Sequence, residues 1–111
     1  MAAYTDLFVD QGTDYYTNMD LTEDDGTPIN VTGYTFTGQI RKSYYSTNPT
    51  ANLVISIING ANGNTNITMN SAVTANITPG RYVYDVKMTD TSNVTIRVME
   101  GIVTVTPQVS R

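Results

Sequence analysis

The sequence predicts an all-β sandwich of about seven short strands, and three observations carry that expectation. Apolar and polar side chains alternate with period two along most of the chain. Threonine, valine, isoleucine and tyrosine, which suit a pleated surface, are abundant. Asparagine, glycine and aspartate, which suit turns, fall between the alternating stretches.

Taken in order, Asp6 to Asp10 reads as an N-terminal strand, and Tyr15 to Leu21 as a half-buried one with Tyr15, Thr17, Met19 and Leu21 on one face. Tyr34 to Ile40 repeats the pattern. Between these two lies Glu23-Asp24-Asp25-Gly26, whose Asp-Gly pair is a strong turn signal because glycine accepts a positive φ without steric conflict. A hairpin joining the two strands is expected there. Asn52 to Ile58 is apolar at nearly every position and predicts a strand covered on both faces. Asn66 to Met69 reads as a short strand, and Ser71 to Ile77 fits either one helical turn or an extended link before Pro79-Gly80. Arg81 to Thr89 and Val94 to Val105 form the last hairpin, turning at Asp90 to Asn93. Gly101 inside the returning strand predicts a bulge or a close backbone approach.

The 111 residues suit a single domain, 1–111, with one core. With six basic residues against ten acidic ones, net charge −4, and the basic side chains scattered, nothing would track a phosphate backbone, so nucleic acid is not an expected partner. Cysteine and histidine are both absent, which excludes thiolate chemistry, the ordinary hydrolase triads and most zinc sites. The N-terminus has no pattern of a basic region followed by an apolar one, and no apolar run approaches ~18 residues, so neither a secretory signal nor a membrane span is expected.

Four groups invite a chemical reading. Glu23, Asp24 and Asp25 have the crowding of a calcium site but lack the spacing of a calcium loop, so a solvated turn is the simpler account. Asp6, Asp10 and Asp14 recur every four residues, but in an extended segment they stand apart. Asp85, Arg97 and Glu100 share the last hairpin, where cross-strand ion pairing explains them without general acid/base work. The Asn-x-Thr triplets at Asn30, Asn66, Asn76 and Asn93 match a glycosylation acceptor, yet a chain so rich in both residues contains such triplets by chance. No catalytic residue, metal or cofactor is therefore expected. Tyrosines remain as the feature suited to binding, because each offers rigid area with a polar tip. Tyr16, Tyr44 and Tyr45 are the ones whose positions place them outside.

Two stretches together resemble a group of small tailed-bacteriophage proteins: LTEDDGTPINVTGYTFTGQIRKS and GRYVYDVKMTDTSNVTIRVMEGIVTVTPQVSR. The matching residues are Gly26-Thr27-Pro28, Thr32-Gly33-Tyr34, Gln39-Ile40-Arg41, Gly80-Arg81-Tyr82, Glu100-Gly101, Val103 to Pro107, and Ser110-Arg111 where a threonine-arginine ending is usual. The resemblance implies an immunoglobulin-like antiparallel β-sandwich, similar also to the N-terminal domains of phage baseplate upper proteins. It also implies a non-enzymatic structural component of the virion: a tail, baseplate or neck subunit, or a capsid decoration. The expected partners are other virion proteins and further copies of the chain, with no membrane. Leu7, Phe8, Val105, Val109 and Arg111, in the two terminal segments, are expected to reach a neighbour together with Tyr16, Tyr44 and Tyr45. The alternative is a carbohydrate-binding module using those three tyrosines as stacking platforms, although tryptophan, the best platform, is absent.

Overall fold

The computed structural model describes residues 3–23 and 25–110. The chain is all-β, with strands β1 (Ala3–Tyr4), β2 (Leu7–Asp10), β3 (Tyr15–Asp20), β4 (Thr35–Arg41), β5 (Ala51–Asn59), β6 (Asn64–Met69), β7 (Gly80–Thr89) and β8 (Thr95–Thr106). A short α-helix, α1 (Ser71–Ala75), settles the choice between helical turn and extended link. Asn70 caps it, its side chain accepting from the Val73 N–H at 3.0 Å.

Strand order is β1-β8-β7-β4-β5-β6-β3, with β2 also on β8. Continuity comes from β5, whose Ala51 to Leu53 pair with β4 while Val54 to Asn59 pair with β6. The path folds there, so a front layer (β1, β2, β8, β7, β4) faces a back layer (β6, β3) across one core. Ile40, Tyr84, Val86 and Val103 enter that core from the front, Met19, Ile67 and Met69 from the back. This is the C-F-G and B-E-D pairing of immunoglobulin-like sandwiches. Tyr82 adds the corner expected near the start of the sixth such strand: its hydroxyl donates to the Thr78 carbonyl four residues upstream.

Three expectations need correction. The sheet is not wholly antiparallel, because β1 and β2 run parallel to β8. The acidic turn does not join a hairpin: β3 pairs only with β6, and β4 with β5 and β7. Its turn is local, closed by the Thr22–Pro28 bridge, after which Ile29 and Val31 are pinned by bonds to Leu21 O and Gly60 O and carry the chain between layers. Val31 is fully buried, so the crossing is anchored by core packing that local turn signals do not encode. Of the two alternatives at Gly101, the close backbone approach is the one found, to Thr5 O, while the bulge in β8 falls between Met99 and Arg97. Finally, β5 is not covered on both faces, a difference taken up below.

Candidate functional site

Apolar side chains that the core leaves out define the surfaces available for contact. On β5 the alternation puts Leu53 and Ile55 against the core, while Val54, Ile57 and Ile58 stay 57%, 37% and 59% exposed. A buried strand was expected because nearly every residue from Asn52 to Ile58 is apolar. The strand changes partner midway, however, so each half has a pairing neighbour on one side alone and no layer packs over its outer face. An open, apolar, β-branched edge is a ready template for another chain.

The back layer's outer face runs on from β5. Register places Tyr16 beside Thr68 and Val54, and Asn18 beside Asn66 and Ser56. The exposed Tyr16 hydroxyl donates to Asn18 Oδ1 at 2.8 Å, which lays the ring along its strand. Asn64 Nδ2 donates to Asp20 Oδ1 at 2.7 Å. Between them Asn66 is buried, and its Oδ1 has no hydrogen-bond partner.

The front layer's outer face is different in character. Gln39, Arg41, Tyr44, Asp85, Lys87 and Arg97 line a shallow groove of about 230 Å³. Arg97 bridges Asp85 at 3.3 Å and Glu100 at 3.6 Å, as the cross-strand reading of these residues expected. Arg41 donates to Ser46 O and Gln39 Oε1, both at 2.9 Å. Exposed pairs of this kind contribute little stability each.

The expected interface residues separate into groups. Tyr16, Tyr44 and Tyr45 are exposed, as are Phe8 and Val109. Tyr16 nevertheless belongs to the back layer, while Tyr44 lines the front groove, so the tyrosines do not form one platform. Leu7 and Val105 are corrections: at 4% and 2% exposure they are core. The reason is that the two terminal segments pair with each other, Leu7 opposite Val103 and Val9 opposite Val105, and their apolar faces turn inward together. Arg111 lies outside the described residues, as does Asp24.

The spaced acids act as staples. Asp6 Oδ1 accepts from the Ile102 N–H at 3.2 Å, Asp10 Oδ1 from the Thr106 hydroxyl at 2.7 Å, and Asp14 Oδ1 from the Ser71 N–H at 2.7 Å. In the acidic turn, Thr27 holds the Asp25 carboxyl below the usual range, first through its hydroxyl and then through its N–H, which donates to Asp25 Oδ1 at 2.9 Å. Among the described residues no three acids converge as metal ligands. No protein-family model matches the chain, and no curated protein matches its sequence.

One buried phenol gives a pH test of the N-terminal pairing. Tyr84 donates to the Thr5 carbonyl, and burial pushes its hydroxyl well above the ordinary 10.0, with Tyr15, Asp6, Tyr4 and Glu100 adding to the shift. The folded state therefore holds the proton more tightly than the unfolded chain. That contribution is fully present below pH ~10 and is lost as pH rises above it toward the folded value. Tyr84→Phe is expected to lower stability by about 1–2 kcal/mol at neutral pH, since it orphans the Thr5 carbonyl. The gap to the wild type should narrow in urea unfolding above pH ~10. A gap that stays constant with pH would contradict the assignment.

Proposed function

We infer that this chain is a non-enzymatic structural subunit of a tailed-bacteriophage particle, located in the virion, which works by surface contact with neighbouring virion proteins. The sequence resemblance and the immunoglobulin-like layout support that setting. The observation that carries it is the second half of β5, where Val54, Ile57 and Ile58 face solvent along an edge with open backbone groups. An interface there would bury β-branched side chains and let a partner's backbone complete the ladder.

The test is co-sedimentation of purified protein with particles lacking it. Wild type is expected to bind, and the double variant Val54→Asp with Ile58→Asp to bind at least ~10-fold more weakly, a loss of ~1.4 kcal/mol or more. Both positions are on the solvent side, so unfolding should shift by about 1 kcal/mol or less. Full binding by the variant, or none by wild type, would count against the reading.

One observation favours the carbohydrate alternative: the Tyr16 ring, pinned by Asn18, shares the back layer's outer face with Asn66, which lies opposite Asn18 and whose Oδ1 has no hydrogen-bond partner. A thermal shift with polysaccharide that disappears in Tyr16→Ala would move that reading ahead.

A further inference from the structure

The register of β7 on β8 sets Asp85 directly opposite Glu100 and Lys87 directly opposite Arg97, all on the solvent side of the front layer. Like charges directly opposite each other on neighbouring strands repel. The arrangement is unexpected, because exchanging residues 85 and 87 alone would set a base against each acid. The diagonal contacts of Arg97 relieve it in part. Lys87 is exposed and makes no salt bridge among the described residues.

Register extends the pattern across the sheet. Tyr4 and Gln39 flank the acidic pair on β1 and β4, giving an acidic row Tyr4-Glu100-Asp85-Gln39. Thr37 continues the basic pair, giving the adjacent row Arg97-Lys87-Thr37. The face thus carries a negative stripe beside a positive one, both perpendicular to the strands.

Such a pair of stripes is complementary to itself. A two-fold axis lying between the rows and parallel to them brings a second copy face to face, each strand over its own antiparallel counterpart. Asp85 then meets Lys87 of the second copy and Glu100 meets its Arg97, and each contact occurs twice by symmetry. Facing sheets align within about 30°, so near-antiparallel strands suit ordinary sheet packing. Half-buried Val83 and Ile102 lie beside the acidic row and supply apolar area. We propose that the striped outer face of β7 and β8 is a homodimer interface, formed with a second copy of this chain and selected by charge complementarity. Four strand positions (β1 and β2 together, β8, β7, β4) at ~4.8 Å spacing give a patch roughly 15–20 Å across, small for a specific interface. The dimer is accordingly weak and salt-sensitive.

This deepens the reading of a virion subunit that works by surface contact, by naming a second copy of the chain as one neighbour, and its test involves no particles. Sedimentation equilibrium on the full chain should show a monomer–dimer equilibrium at ~0.1 M salt, weakened at least ~10-fold at ~1 M, where the Debye length falls from ~10 Å to ~3 Å. The variant Lys87→Glu with Arg97→Glu makes both rows acidic, so each cross-copy contact becomes repulsive, and it should lose the dimer by more than ~10-fold. The exchange variant Asp85→Lys with Lys87→Asp still sets opposite charges at residue 85 and at residue 87 of the second copy and should keep dimerising. A wild type that stays monomeric up to ~1 mM, or a Lys87→Glu, Arg97→Glu variant that dimerises as well as wild type, would overturn the proposal. Neither result bears on Val54 and Ile58, so the particle-binding reading stands or falls separately.

Discussion

Replacing Gly101 with valine is expected to strip the N-terminal strands from the sandwich and lower stability by roughly 5 kcal/mol or more. The reason lies at Thr5, where the N-terminal strand breaks into β1 and β2. Thr5 still donates its N–H to Glu100 O at 2.9 Å, but its carbonyl turns inward to accept the Tyr84 hydroxyl. Asp6 then supplies a side-chain oxygen to the Ile102 N–H, in place of the backbone acceptor that a continuous ladder would offer. The inturned carbonyl occupies the space over Gly101. A Cβ there would stand 2.2 Å from Thr5 O, 2.8 Å from Thr5 C and 3.2 Å from Tyr84 Cε1. Backbone has no rotamer by which to yield, so the strand itself must move. Moving it withdraws Leu7 and Val9 from the core, at about 1.5–3 kcal/mol each, and orphans two hydrogen-bonding groups.

Thermal unfolding should show a fall on the order of 25 °C or more for a domain of this size. Limited proteolysis should nick the N-terminus first. In combination with Tyr84→Phe the effects should be strongly non-additive, because both changes act on the same carbonyl. An unchanged melting temperature in Gly101→Val would show that the close approach is not structural.

How much of this was legible in the sequence differs by element. Alternation placed β3, β4, β7 and β8 to within a residue or two, because each has one face on the core and one in water, and a period of two records that contrast. The same signal failed at β5. A run of apolar residues carries no information about whether both faces are covered, and β5 is the strand that changes partner. Pairing was the other failure. Asp25-Gly26 does reverse the chain, but β3 and β4 belong to different layers, and that separation is decided by Ile29 and Val31 entering the core. As for the candidate surfaces, exposure of Tyr16, Tyr44 and Tyr45 followed from position. Burial of Leu7 and Val105 did not, because it depends on a parallel pairing between the two ends of the chain. The charge stripes on β7 and β8 lay hidden for a related reason: they follow from the register, and the bulge at Val98 shifts that register by one residue.

Thr74→Val is expected to destabilise by roughly 2–3 kcal/mol, although it exchanges one buried side chain for another of nearly the same shape. Thr74 is fully buried on α1 and works through its hydroxyl. Its Oγ1 donates to Thr13 O at 2.7 Å and accepts from the Gly12 N–H at 3.1 Å. Thr13 and Gly12 lie where the chain leaves β2 in the front layer for β3 in the back layer, a point at which no strand ladder serves those groups. Gln11 assists, its Nε2 donating to Ile77 O at 3.0 Å and its Oε1 accepting from the Gln108 N–H at 3.2 Å. The C-terminal segment therefore rests on the same turn, and Gly12 leaves room for the Gln108 side chain. Valine would add apolar contact but leave a donor and an acceptor unpaired, and the second effect is the larger. Thr74→Ser supplies the control: it keeps the hydroxyl, removes one methyl, and should lose only about 1 kcal/mol. If burial alone explained this residue, valine would be tolerated better than serine in urea unfolding. The opposite order is the expected result, and with it faster hydrogen exchange at Gly12, whose N–H donates directly to that hydroxyl.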